Sequence, residues 1–456
     1  MMARSMDRGL FCRRRLLGGQ GLAASALLLA AVALLLTGPG CRSRSPTPPA
    51  VAASGALVPV AGNLPVDGEI RALQQALLRQ ATADAETWVR LAQALLRKAR
   101  QTSSDPEYAQ AEDAAARALR IAPQHAGAHH VQLAVLLHDH RFREAQAKAA
   151  ALLQINPRDA TAWGAMGDSA VELGDYSAAQ HAVQAMIDLK PDLRSYSRGA
   201  WLRYLFGDAD GAIDLMQQAI DAGSPRDPEP RAYCRVQRAE LLFLRGRYPE
   251  AMAELERARI DLPGYAVAQA AHARVLLHAL DDPASALPEL SAALSRDPHI
   301  TTRISLFEAH EALGQHTSAA EQRGELLRFG PRLDPRALSL FLASRHEQPD
   351  RAVELARSEA QNRPDLWSYD ALAWALYHAG HLDEAWSAMQ RAIAPGIVDP
   401  RIDYHRGVLA QARGDLTTAR SALLRALATS PRWDRRDAPQ ARELLQRIEK
   451  VHPAAP

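Results

Sequence analysis

An all-α fold is what the sequence predicts: a right-handed α-solenoid of about ten stacked helix pairs, with a capping helix at each end. Three observations predict it. From residue 66 onward apolar residues recur at helical spacing, and no stretch alternates with the period of two that a strand requires. Alanines form a ladder at Ala111, Ala145, Ala179, Ala212, Ala251, Ala286, Ala319, Ala352, Ala385 and Ala419, with gaps of 34, 34, 33, 39, 35, 33, 33, 33 and 34. Glycines at 174, 207, 246, 314, 380 and 414, and prolines at 123, 157, 191, 263, 298, 331, 364 and 431, keep phase with it. Alanines alone prove little in an alanine-rich chain. Several features in phase over ten periods mark an internal repeat.

Composition narrows the function. The 456 residues carry 54 Lys and Arg against 52 Asp and Glu, with 47% hydrophobic and 5% aromatic residues. Five arginines lie in the first 40 residues; beyond them the balance is 49 basic to 51 acidic. Such a body lacks the basic surface that phosphate contacts need, which excludes nucleic acid as a partner. Of the three cysteines, only Cys234 lies in the repeat region, so packing alone must hold the fold.

Residues 1–41 read as an export segment. Arg13, Arg14 and Arg15 precede an uncharged run whose apolar centre is Gly21 to Leu36. The segment Leu36-Thr37-Gly38-Pro39-Gly40-Cys41 resembles the lipobox of bacterial lipoproteins, which implies lipidation of Cys41; the same run nearly reaches the length of a membrane anchor. Either places the body on the extracytoplasmic face of a membrane. Residues 42–65 hold five prolines and no periodicity, and read as a linker that adds nothing to a core.

The repeat unit is clearest at residues 160–193. Trp163, Met166, Gly167 and Ala170 share one helical face; Gly174-Asp175-Tyr176 makes a turn; Ala179, Val183 and Met186 stripe a second helix, which Pro191 ends. Gly167 and Ala179 are small because the two helices cross there. This unit closely resembles the tetratricopeptide repeat, and the pattern runs over residues 85–433. Helices at 66–84 and 434–456 read as caps, which the end units need to cover their apolar faces. Three departures stand out: an insertion around Gln101–Pro106, a rigid surface loop at Ser224–Pro230, and degenerate units six to eight. In those units Arg274, Phe307 and Leu340 occupy the small slot, and the stack is expected to bend or open there.

The resemblance implies a non-enzymatic scaffold whose first helices line a concave groove for an extended peptide or helix of a protein partner. Groove slots hold Trp201, Tyr204, Tyr233, Glu240, Phe243, Phe341, Trp367, Asp370, Trp374, Tyr377, Arg401 and Tyr404, a concentration of the types that dominate binding hot spots. The competing reading of each aromatic is packing between units. His125, His129, His130, His138 and His140 crowd one unit and raise an alternative, a periplasmic metal- or glycan-handling protein using these histidines or the aromatic groove. His130 and His138 are eight apart, too far to share one ion, so no metal site is assigned. No phosphate-binding loop, nucleophile elbow or appended domain occurs, and no cofactor is expected.

Overall fold

The computed structural model describes residues 54–79 and 84–451. The chain divides into two compact units, Met1–Pro48 and Pro49–Pro456. The first of these, with the export segment and Cys41, lies outside the described residues. Among the described residues there is no strand and no helix long and apolar enough to cross a membrane.

A capping helix, α1 (Pro65–Arg79), opens the stack. Ten pairs follow: α2 (Ala85–Thr102) with α3 (Asp105–Ile121), α4 (Ala126–His138) with α5 (Phe142–Ile155), and α6 (Ala160–Glu172) with α7 (Tyr176–Leu189). Next come α8 (Leu193–Leu205) with α9 (Ala209–Asp221), α10 (Pro228–Leu244) with α11 (Tyr248–Asp261), and α12 (Ala266–Arg274) with α13 (Pro283–Arg296). The array continues through α14 (Ile300–Ala312) with α15 (His316–Leu333), α16 (Pro335–Ser344) with α17 (Pro349–Asn362), α18 (Leu366–His378) with α19 (Leu382–Ile393), and α20 (Pro400–Ala412) with α21 (Leu416–Thr429). Helix α22 (Asp437–Val451) closes it.

The alanine ladder is the inner seam of the stack. Nine of its ten members are fully buried and Ala319 is nearly so. Close helix crossing explains the small residues opposite them. A Cβ added at Gly167 would stand 2.8 Å from Val183 Cγ2, and one at Gly407 2.8 Å from Leu423 Cγ. Aspartates cap many of the helices: Asp159, Asp192, Asp365 and Asp399, among others, accept backbone N–H bonds at the first turn.

Every unit turns through a residue in the left-handed region, and the eighth adds a second, Gln348, at the start of α17. Of the ten turn residues, six are the expected glycines, with φ between 69° and 85°. The other four are Ser103, His140, Asp281 and His346, which a search for glycine passes over. Such residues carry a steric cost at that φ, so the turn geometry is imposed by the stack.

Several expectations need correction. The end of the proline-rich segment is not an inert linker: Ala56 and Val60 are buried in the first core cluster, Gln74 Nε2 donates to Ala56 O and Val58 O at 2.9 Å, and Asp113 accepts from Ser54 and from Ala56 N. A three-residue 3-10 turn has no periodicity to read. The insertion at 101–106 lengthens α2 and α3 around a tight turn at Ser103. Residues 228–230 are the first turn of α10, with Glu229 buried, and not part of a surface loop. Pro331 does not close its helix; α15 runs through it to Leu333. In the degenerate units α12 passes into a π-helical turn at Val275–Ala279, and α16 has only ten residues.

Candidate functional site: the lumen of the first superhelical turn

The solenoid closes on itself. The turns of units one, three, four and five meet the loop between units five and six places further along. Ser103 Oγ donates to Asp297 Oδ2 at 2.8 Å, joining the first unit to the loop after the sixth. Glu172 accepts from Arg363 at 2.5 and 2.9 Å, and Tyr176 Oη accepts from Leu366 N at 2.8 Å. Tyr204 Oη donates to Asp399 Oδ2 at 2.8 Å, and Tyr248 Oη accepts from Arg432 N at 2.8 Å. One superhelical turn therefore takes between five and six units, and the second turn lies on the first.

This closure and the packing of adjacent units together decide the fate of the twelve groove residues. Tyr204, Phe341, Asp370, Trp374 and Tyr404 are buried, which removes them from a partner's reach in the closed superhelix. Trp201, Glu240, Phe243, Trp367, Tyr377 and Arg401 are half-buried, and Tyr233 alone is exposed, at 45%. Most of the set is brought together by the chain itself. Trp367 stacks on Tyr204, Arg401 lies 5.5 Å over Trp367, and Trp374 packs against Tyr377, Tyr404 and His405. Phe341 packs edge-on against Phe307, Phe243 against Tyr248, and Glu240 pairs with Arg274. Asp370 takes His405 Nδ1 at 2.8 Å and Arg401 Nε at 3.3 Å. Burial raises its carboxyl's affinity for a proton, but His405 and Arg401 together hold it below the usual range.

The open space lies elsewhere. A cavity of about 1640 Å³ is bounded by first helices α2, α4, α6, α8 and α10, and across from them by residues 297–300, 332–336 and 359–363. Tyr233 and Arg194 are exposed, and the surface they expose lines this cavity. The surrounding protein accordingly pushes the Tyr233 phenol up to about 12. Burial, reinforced by the neighbouring Arg100 and Arg198, draws Arg194 below its ordinary value. Arg198 is held by Asp168 at 2.6 and 2.8 Å and Arg100 approaches Glu229 at 3.4 Å, whereas no carboxylate pairs with Arg194 among the described residues. Nine arginines and nine carboxylates line the cavity, so it carries no excess charge for a polyanion. Cys234 lies in the same wall, its thiol pushed up to about 12 by burial, which makes it a poor nucleophile.

The histidine-rich unit borders the cavity but does not assemble a metal site. His125 faces Glu86 at 3.1 Å, His129 faces Pro123 O at 3.0 Å, and His130 faces Asp159 at 2.7 Å. His138 stacks on Tyr108 and meets Asp105 at 3.2 Å, while His140 lies against Phe142. Each ring has a different neighbour, and among the described residues no three His, Cys, Asp or Glu converge on a point. Sequence reasoning missed the cavity because its walls come from units far apart in the chain. The one available signal was that the groove slots of units one to three hold no Phe, Trp or Tyr, where those of several later units do.

Family models recognise the repeat in parts of this chain. Family models described as tetratricopeptide repeat match residues 204–275, and residues 165–228 and 371–432. The matched residues, within units three to five, the first helix of unit six and the last two units, thus carry tetratricopeptide repeats. Tetratricopeptide repeat protein 36 of Danio rerio is 37% identical over 95 residues, 20% of this chain and 49% of its own; the chain spans about half the length of that curated relative. Among solved structures, PilW, titled a widely conserved type IV pilus biogenesis factor, is 18% identical and covers 47% of this chain and 96% of its own, with a TM-score of 0.39. Human IFIT1, solved as a dimer with PPP-AAAA, is 12% identical with a TM-score of 0.45, covering 83% of this chain and 93% of its own. Yeast Tom70 is 12% identical with a TM-score of 0.35, covering 85% and 92%.

Proposed function

We propose that this protein is a non-enzymatic scaffold, tethered by its N-terminal segment or by lipid on Cys41 to the extracytoplasmic face of a bacterial membrane, that holds a segment of a protein partner in the lumen of its first superhelical turn. The tetratricopeptide repeats support protein binding in general. The observation that carries the particular site is the cavity of about 1640 Å³ walled by the first helices of five successive units. It exceeds the size of an ordinary small-molecule pocket, ~300–1,000 Å³, and suits several residues of extended chain. Arg194 and Tyr233 are the contacts assigned to the partner. Both are exposed to the lumen, and both are residue types that anchor interfaces.

Proximity labelling in native membranes tests this. Arg194→Ala with Tyr233→Ala removes lumen contacts without touching the buried core, and a defined partner set should vanish with it. An unchanged set, with helical content and melting point preserved, would remove the lumen from consideration. Metabolic labelling with a fatty acid, lost in Cys41→Ser, tests the tether; absence of lipid together with release into a soluble fraction would overturn it.

A further inference from the structure

The contacts between superhelical turns are unequal along their length. At units three to five each rung is dense. Rung three has the Glu172–Arg363 pair, the Tyr176–Leu366 bond, and Gly174 packed so closely that an added Cβ would lie 2.4 Å from Pro364 O. Rung four has Tyr204–Asp399, with Gly207 against Gly396 O. Rung five has Tyr248–Arg432, Ser430 Oγ donating to Phe243 O at 3.0 Å, and Arg432 donating to Ala279 O at 3.2 Å.

The front is sparse. Rung one rests on Ser103–Asp297 with the long Arg100–Glu229 pair, and Asp297 is a poor anchor, since burial raises its pKa and disfavours the charged acceptor. Rung two has no hydrogen bond or ion pair between unit two and units seven and eight among the described residues. It has only the Arg363 guanidinium 5.4 Å over Phe142, beside the strained His140. Apolar packing follows the same division. One large core cluster extends from Ala170 to Ile448 and so crosses the rear rungs, with two smaller clusters beside it at residues 200–234 and 273–309. The cap and first two units form a separate cluster, Ala56 to Val135, joined onward through the small group Leu133, Ala149 and Ala165. The lumen cavity fills the space where the front turns would otherwise touch.

We propose that the superhelix is a clasp. The cap and units one and two swing as one body about the junction of units two and three, away from units six to eight, and open the lumen while rungs three to five stay shut. The weak rungs and the separate core of the cap and first two units lie on one side of that junction, and the cavity spans it, between the swinging body and the fixed units; a hinged closure requires that, and uniform breathing of a solenoid does not produce it. Deletion of the half-buried Ser103–Asp297 hydrogen bond should raise the open fraction ~5-fold.

Pulsed electron–electron resonance on the full chain tests this without knowledge of any partner. In a Cys12→Ser, Cys41→Ser background, spin labels at Pro106→Cys and His299→Cys span the front; labels at Asp210→Cys and Ala394→Cys span rung four. All four positions are exposed. The front pair should give a closed and a longer distance, the longer one gaining weight in Ser103→Ala, while the rear pair stays single and narrow in both. A front pair as narrow as the rear pair overturns the clasp. So does equal broadening of both pairs, which would mean that the whole superhelix loosens. The wild-type background alone decides between these, so a poorly folding Ser103→Ala does not leave the question open.

Discussion

Gly174→Ala and Gly380→Ala impose the same backbone problem in two different surroundings. Both glycines end a first helix in the left-handed region, at φ 72° and 84°, where an alanine costs ~1–2 kcal/mol. At Gly380 nothing lies within 4 Å of the added Cβ, so that cost is the whole effect. At Gly174 the Cβ would stand 2.4 Å from Pro364 O, in the loop between units eight and nine. An unstrained carbon–oxygen contact needs ~1 Å more, so the second superhelical turn must lift. Overpacking of this kind costs ~1–3 kcal/mol, and lifting the loop endangers the bond from Leu366 N to Tyr176 Oη, worth ~1 kcal/mol. Gly174→Ala is therefore expected to cost ~2–4 kcal/mol more than Gly380→Ala. Urea unfolding followed by far-ultraviolet circular dichroism measures the difference. Equal midpoints for the two variants would show that contact between turns contributes nothing at this rung, and the closed superhelix would lose its energetic basis.

Other outcomes rest on the same contacts. Tyr204→Phe leaves Asp399 Oδ2 without its donor in a buried place and should cost ~1–2 kcal/mol; a change within error of zero would mean that water replaces the hydroxyl. Asp370→Ala strands Arg401 and His405 beside Trp374 and should destabilise by ~3–5 kcal/mol, which separates an interior role from partner contact by a melting curve alone. Asp281→Gly relieves a left-handed aspartate worth ~1–2 kcal/mol and loses only an exposed pair with Arg435 worth ~0–1 kcal/mol, so the melting point should rise; a fall would show that the pair matters more than the turn. Glu308 and Asp437 are both pushed up to about 8, by burial first and then by Asp434, with Arg345 and Arg436 opposing. A carboxyl with a raised folded pKa stabilises fully below its ordinary range and loses that contribution as pH rises through about 8. The melting point should therefore fall between pH 5 and 9, less so in Glu308→Gln; an identical slope in that variant would exclude Glu308 as a cause.

Much of this was legible in the chain. The ladder of buried alanines, the turn glycines and the ten helix pairs with two caps follow from periodicity, because each unit repeats one local packing problem and solves it with the same small residues. The other four left-handed turns were hidden, since conformation is required there but glycine is not: Ser103, His140, Asp281 and His346 do the same thing at a cost the stack supplies. Of the proposed groove residues, the aromatic grouping was readable but its role was not. Trp367, Trp374 and Tyr404 look like a binding face when only their own unit is considered.

What the sequence determined by itself is the unit: which residues form each helix, which face is apolar, and where the chain turns. Those are decided by contacts within some forty residues. Only the tertiary structure decided what the concave face meets, because the rise and twist of each unit add up over five or six units before residue 204 finds residue 399. That accumulated geometry sets Tyr204 against Trp367 and Asp399 and leaves an open lumen at Arg194 and Tyr233, while Phe341, Trp374 and Tyr404 pack against adjacent units. No local pattern encodes a sum of small rotations, and that is the physical reason why the repeat was visible in the sequence and the cavity was not.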